Sequence, residues 1–400
     1  MRKTVAIVGG GAAALLLAAE LDPKKFDVCI YERNAAPGRK LLVAGDGGFN
    51  LTHSEKPDTF ISRYTPSSFF EPIIKNFNNS DLRNWLKSIG IDTFEGSSKR
   101  VFPVKGIKPI DVLTAILSII KQKKVSIKTR TTWQGWRNNQ LLFTDDKNKN
   151  EFVIKPDITV FALGGGSWKV TGSDGSWTKH FIDQGVEVKP FQSSNCAFEI
   201  EWDKEFLKQA EGKTLKNLTL HCGENKKEGE VVITAFGLEG GAVYALSGAI
   251  RKQLSEEGHA ALFMDLKPSI SLTTIESKLR NRGNRSISEC LKNDLNISGV
   301  PLLLLKSVID KAQFTDPVVL SERIKNLQLT IKSAGPLDEA ISTVGGIALE
   351  EIDENFQLKK IPNCYAIGEM LDWDAPTGGY LLQGCFSMGV GLGRKLNTSI

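Results

Sequence analysis

An apolar run, Thr4-Val5-Ala6-Ile7-Val8, opens directly onto three glycines, Gly9-Gly10-Gly11, and then onto an alanine- and leucine-rich stretch that reaches Glu20. Two readings compete for such a start. Behind Met1-Arg2-Lys3, the stretch to Ala19 has the positive beginning and alanine-rich end of a secretion signal. Three glycines in a row would interrupt the apolar core of a signal, whereas a buried strand turning sharply into a helix needs small residues there. The next segment decides. Phe26-Asp27-Val28-Cys29-Ile30-Tyr31 is a second apolar strand ending at Glu32, which completes a strand–helix–strand unit of about 30 residues. Gly9-x-Gly11-x-x-Ala14 then reads as a dinucleotide fingerprint. Gly9 allows the tight turn, Gly11 lets a pyrophosphate approach the backbone, and Ala14 lets helix and strand pack closely. The unsatisfied N–H groups of Ala12, Ala13 and Ala14 and the positive end of the helix dipole face the phosphates. Glu32 stands where a carboxylate accepts hydrogen bonds from ribose hydroxyls and repels a 2′-phosphate, and Arg33 follows it.

The fingerprint does not choose between NAD and FAD. Pro37-Gly38-Arg39-Lys40 places two cations beside the phosphate site, and the glycine-rich loop Gly45-Asp46-Gly47-Gly48-Phe49, ending in Asn50, brings backbone close to a flat ring. An exposed basic turn and a flexible loop would read equally well. Two further junctions favour FAD. A buried-type strand runs from Asp157 through Ala162 into Gly164-Gly165, and a second from Cys364 into Gly368-Glu369. The second is followed by Thr377-Gly378-Gly379-Tyr380 and a helical stretch to about Lys395. Such a helix start offers a second positive end, suited to the negative charge of a reduced flavin. Its return at the far end of the chain implies one discontinuous cofactor domain.

Together these blocks resemble the BaiN/YhiN-like family of FAD-binding flavoproteins, which includes an aminoacetone oxidase. The matching segments are Val8 to Ala14, Pro37 to Leu42, Ala162 to Gly165, Ile233 to Gly241, Ser342 to Ile347, and Gly368 to Asp372 with Pro376 to Tyr380. The resemblance implies an α/β fold: a Rossmann-like, glutathione-reductase-type FAD domain interrupted by a β-barrel-like insert and a small helical domain. This chain has Gly48-Phe49-Asn50 where many relatives carry Arg-Cys-Asn, so a thiol role in that loop is closed to it. Trp168-Lys169 stands where relatives have Tyr-Pro.

The expected boundaries are 1–190 and 335–400 for the FAD domain, 191–255 and 321–334 for the β-rich insert, and 256–320 for the helical part. In the insert, Phe198, Ile200 and Trp202 alternate with acidic residues as one half-buried strand, Leu218, Leu220 and Cys222 repeat the period, and Leu327, Leu329 and Ile331 form a strand that rejoins the sheet. Leu291, Leu295 and Leu302 to Leu305 read as the buried face of helices separated at Pro301.

No general acid or base is legible, so the catalytic residues are left unassigned. His53 reads as facing a flavin or as solvated. Asp372 and Asp374 read as a cation site or as helix caps, and Tyr380 as a proton donor or a packing residue. The six cysteines lack C-x-x-C or zinc spacing, and neither a metal site nor a second nucleotide-binding unit is expected. Reducing equivalents would come from NADH or NADPH as a transient donor, or from the substrate with oxygen as acceptor. The expected substrate of an FAD-dependent oxidoreductase here is a small molecule or a ring double bond. RNA as substrate, through uridine reduction, has slight support in a net charge of +5 and the cluster Arg280, Arg282 and Arg285. A non-catalytic nucleotide-binding protein is the third reading. The composition and the lack of a long apolar span suggest a cytoplasmic protein without a membrane partner.

Overall fold

Apolar runs without alternation suit strands covered on both faces, and the first junction builds such a strand. In the computed structural model, which describes residues 1–43 and 49–399, β1 (Lys3–Val8) lies at the centre of a five-stranded sheet. The others are β2 (Phe26–Glu32), β3 (Ser126–Thr129), β4 (Ile158–Phe161) and β5 (Cys364–Ala366), in the order β5-β4-β1-β2-β3 with every pairing parallel. Gly45 falls outside the described residues. Val8 is opposite Phe161 on one side and Tyr31 on the other, so β1, β2 and β4 finish level. The chain leaves β1 for β2 on one side and later occupies β4 on the other. In doubly wound sheets ligands bind at this reversal, in the crevice beyond the carboxyl ends of the strands.

The helix after β1, Ala12–Glu20, is buried from Ala13 through Ala19, as an all-apolar helix should be. Part of its cover is the last helix, Tyr380–Thr398, and the two meet through glycine. A Cβ on Gly389 would overlap the carbonyl oxygen of Ala13, and one on Gly393 would lie 2.7 Å from Cβ of Glu20. Contacts therefore advance along both helices together, and the helices run in the same direction. Tyr380 precedes Gly389 by nine residues, about 14 Å along the axis at 1.5 Å per residue. The start of the last helix thus projects beyond the start of the first, on the carboxyl side of the sheet.

The chain divides into two compact units, Met1–Gln192 with Ser342–Ile400, and Ser193–Ile341. The second contains a six-stranded sheet whose neighbours are antiparallel, in the order Phe198–Glu199, Gly237–Glu239, Asn225–Ile233, Thr214–Cys222, Ala260–Asp265, Leu327–Ile331. Beyond Ile331 the chain joins back to the first strand: Glu199 N–H donates to the Ser333 carbonyl at 2.9 Å and Lys332 N–H to that of Glu199 at 3.0 Å. Leu327, Leu329 and Ile331 all face inward. Helices between Leu272 and Lys325 share an apolar core with this sheet, contributing Leu291, Leu295, Leu304 and Leu305. Leu302 and Leu303 are only half-buried, and Pro301 sits in the first turn of Val300–Val308.

The strand expected from Phe198 to Trp202 is shorter than its alternation implies. The strand ends at Glu199, with one more bond from the Ile200 N–H to the Phe236 carbonyl at 3.1 Å, because Asp203 accepts the N–H groups of Glu205 and Phe206 and starts a helix at Lys204. Trp202 turns its indole N–H to the carbonyl of Thr234, 3.1 Å away.

The helix contact makes opposite outcomes expected at two glycines two residues apart. Gly389→Ala drives a Cβ into the Ala13 backbone and should cost about 1–3 kcal/mol. Gly391→Ala, with open space around it, should gain about 0.5–1 kcal/mol from helix propensity. Urea denaturation of both variants checks the pair.

Candidate functional site

The turn after β1 is shaped by what lies beside it. Gly9 has φ +97°, donates its N–H to the Tyr31 carbonyl at 2.8 Å, and would overlap the Ala162 carbonyl if it carried a Cβ. The helix that follows is capped by Gly11 with no side-chain acceptor among the described residues and no acid in its first turn. The leading N–H groups of Ala12, Ala13 and Ala14 therefore present an open positive end at the β1–β4 crevice.

Glu32, buried at the end of β2, is already engaged. Its Oε2 accepts the Gly10 N–H at 2.7 Å, and its Oε1 accepts the N–H of Asn34 at 2.7 Å and the Asn34 amide at 2.8 Å. A carboxylate offers about four acceptor positions, so Oε2 retains one. Arg39 donates to Oδ1 of Asn34 at 3.0 Å and so backs this group without touching Glu32. Arg33 turns the other way, pairing with Asp174 at 2.9 Å and donating to the Gly172 carbonyl.

A second polar group gathers where β4 and β5 end. Lys40 bonds Glu369 at 2.9 Å and the Ser167 hydroxyl at 3.0 Å, and the other oxygen of Glu369 accepts the Thr343 N–H at 3.2 Å. A Cβ on Gly165 would overlap the Thr343 hydroxyl and come within 3.1 Å of the Glu369 carboxyl carbon. Gly164 has φ +73° and accepts the Trp177 indole N–H at 3.0 Å. Gly368 has φ +86°, and a Cβ there would lie 3.2 Å from that of Ala13, so this group adjoins the start of the first helix.

The third group surrounds the start of the last helix. Gly378 and Gly379 have φ +116° and +94°, and a Cβ on Gly379 would come 2.5 Å from both Asn50 Oδ1 and Thr52 Cα. Asn50 is the site residue with the least conventional surroundings. Both polar atoms of its amide, like the Thr52 hydroxyl, are buried without a hydrogen-bond partner among the described residues. A buried amide left in that state is costly unless a ligand or water completes it. Thr377 immediately precedes the glycine pair. Tyr380, 4% exposed, donates its hydroxyl to Glu55 Oε2 at 2.7 Å, and Arg63 grips the same carboxylate at 2.6 and 3.0 Å. The His53 ring stacks on Tyr380 with centroids 5.1 Å apart, and its Nδ1 accepts the Glu55 N–H at 3.2 Å. Burial lowers the His53 pKa below the ordinary value, and the bond from Glu55 fixes Nδ1 as an acceptor. Burial raises the Tyr380 pKa, and its bond to Glu55 raises it further. For Glu55, burial pushes the pKa up, but hydrogen bonds from Arg63 and Tyr380 outweigh it and hold the carboxyl below its ordinary value.

The structure thus gathers most of the expected residues it describes into three groups along one unit, with Arg33 turned away, and adds Asn34, Thr52, Glu55, Arg63, Ser167, Asp174 and Thr343. His53 is buried and not a solvated loop residue, because it pairs opposite Arg100 in a short ladder and packs on Tyr380. Asp372 neither caps the last helix nor offers a free cation site. It accepts the Gly345 N–H at 3.0 Å and pairs with Lys189 at 2.9 Å. In the other unit, Arg280 pairs with Glu276, Arg285 with Asp294, and Arg282 donates to the Leu279 carbonyl, so each is committed to local structure. Among the described residues no group of His, Cys, Asp and Glu could hold a metal ion, and no helix is long and apolar enough to cross a membrane.

The model of the family described as HI0933-like protein Rossmann domain matches residues 3–395, and the chain belongs to that family. It is 24% identical to the 3-dehydro-bile acid delta(4,6)-reductase of Clostridium scindens over 98% of either chain. It is also 24% identical to a ribosomal RNA dihydrouridine synthase of Haemophilus influenzae over 95% of either chain. The solved structure of 3-ketosteroid delta1-dehydrogenase from Sterolibacterium denitrificans covers 100% of both chains with a TM-score of 0.53 at 12% identity, a likeness of fold.

The depressed pKa of Glu55 fixes the sign of a pH effect. Its ionised form contributes stability above the unfolded value of about 4.3, and that contribution is lost as pH falls through the lower folded value. Glu55→Gln should therefore lose less stability than the parent between about pH 5 and pH 3, as urea denaturation across that range would measure.

Proposed function

We propose that this HI0933-like protein is an FAD-dependent oxidoreductase that lays the dinucleotide along the staggered starts of its first and last helices. The observation that carries the reading is that stagger. Two helix starts without side-chain caps face the same way and are staggered along the axis, because Gly389, nine residues past Tyr380, packs at Ala13, one residue past Ala12. Each offers a positive end to a different part of an elongated, anionic ligand. The residues fit such a group. Glycines at 9, 165 and 379 let the chain pass neighbours that a Cβ would strike, Gly11 leaves the turn open to a phosphate, and the orphaned Asn50 amide lies against Gly379 where a ring with alternating donors and acceptors would complete it.

Bound there, a flavin supplies two-electron chemistry by giving or accepting a hydride. The chain's own residues do the rest. The N–H groups opening the first helix hold the pyrophosphate, with Lys40 contributing its charge nearby. The remaining acceptor position of Glu32 takes one ribose hydroxyl. The positive end of the last helix favours the charge of the reduced ring. Tyr380, Glu55 and Arg63 form a hydrogen-bonded chain leading outward, since the Glu55 and Arg63 side chains are 15% and 38% exposed. That chain keeps a proton on the Tyr380 oxygen beside the ring.

The relatives' names support a substrate class. A bile acid delta(4,6)-reductase and a dihydrouridine synthase both saturate double bonds within rings, and we carry that class, a ring double bond in a small molecule, to this protein. NADH or NADPH acting transiently is the proposed electron donor, since Gly9–Ala14 is the single such fingerprint in the chain. RNA is the second reading and rests on the dihydrouridine synthase relatives, because the arginines of the insert are engaged locally.

The purified protein should take up FAD and turn yellow, and anaerobic NADH or NADPH should bleach it. Glu32→Ala should weaken FAD affinity about tenfold or more, the effect of losing a hydrogen bond to a charged group. Fluorescence titration of the apoprotein measures it, and a protein that takes up no FAD would end this reading.

A further inference from the structure

The segment after β4 doubles back before continuing. Ser173 donates its hydroxyl to the Gly165 carbonyl at 2.9 Å, and the Trp177 indole reaches that of Gly164 at 3.0 Å, which fastens the returning limb at the end of β4. The outer limb is fastened elsewhere, to residues that follow β2. Arg33 pairs with Asp174 at 2.9 Å and donates to the Gly172 carbonyl, and the Asn34 amide donates to the Thr171 carbonyl at 3.2 Å. β2 and β4 are the two neighbours of β1. A segment tied to the carboxyl ends of both passes from one side of β1 to the other at its carboxyl end.

We infer that residues 168–177 form a strap across the adenosine end of the dinucleotide site, with the Arg33–Asp174 ion pair as its latch. The inference rests on the FAD reading above. Asn34 links the strap to the ligand-binding carboxylate, because one amide nitrogen serves both Thr171 and Glu32 Oε1 while Arg39 holds the amide oxygen. Gly172 is part of the fit, since a Cβ there would overlap the Asn34 amide. The latch is only partly buried, its side chains being 30% and 28% exposed, so salt can weaken it. A partly exposed ion pair and two hydrogen bonds to backbone carbonyls suit a strap that must open to admit the cofactor and then delay its escape.

The test is the rate at which FAD leaves the holoprotein, followed by the recovery of free-flavin fluorescence on dilution. Asp174→Asn should release FAD about fivefold faster, the scale of one partly exposed ion pair, and Asp174→Glu should restore much of the retention. Raising NaCl from roughly 0.05 M to 0.5 M should speed release from the parent protein by a larger factor than from Asp174→Asn, which keeps only the salt dependence of the phosphate contacts. Release from Asp174→Asn at the parental rate, with the parental salt dependence, would overturn the strap while leaving the FAD reading intact. If Asp174→Asn does not fold, salt-independent release from the parent overturns it instead. A parent protein that binds no FAD overturns both.

Discussion

Backbone touching backbone sets the position of everything else in the unit that carries the candidate site. Gly389 lies against the carbonyl of Ala13 with no room for a methyl group, which fixes the last helix in register with the first. Because the two helices run in the same direction, this contact decides where the start of the last helix ends up. A side chain at 389 would shift Gly378, Gly379 and Tyr380 relative to the Gly9–Gly11 turn. Packing of two buried helices and the geometry of a ligand site are here the same fact.

The polar groups around the site are held in place before any ligand arrives. Glu32, Glu369 and Glu55 each accept hydrogen bonds from the backbone, an amide, a lysine, or an arginine and a phenol. Such partners lower the cost of keeping a carboxylate away from water and leave little rotational freedom to be lost on binding. The Asn50 amide is the exception, with buried atoms and no partner among the described residues. The carboxylates are therefore preset as acceptors, whereas the Asn50 amide is left incomplete, and a ligand ring there would supply the missing hydrogen bonds.

What could be read from the sequence follows the range of the interactions. The strand–turn–helix–strand start was legible because Gly9, Gly11, Ala14 and Glu32 act within one local unit with a known spacing. The second and third junctions were legible for the same reason. The partners of those residues were not. Lys40 meets Glu369 across 329 positions, and Tyr380 meets Glu55 across 325, distances over which spacing carries no information. His53 looked like a solvated loop residue because nothing local shows that Thr52–His53 pairs with Arg100 and Val101. The alternation at Phe198, Ile200 and Trp202 gave the right buried face for Phe198 and Ile200 but overstated the strand, since Asp203 turns the chain sooner. The arginine cluster of the insert looked open because its acids, Glu276 and Asp294, are brought to it by helix geometry.

A crystal structure of the protein grown with FAD tests the central claim most directly. The account requires the pyrophosphate at the backbone N–H groups that open the first helix, and the ring against Gly378–Tyr380 with its polar edge on the Asn50 amide. A dinucleotide whose ring lies away from the start of the last helix, or whose phosphates bypass the turn after β1, would contradict it.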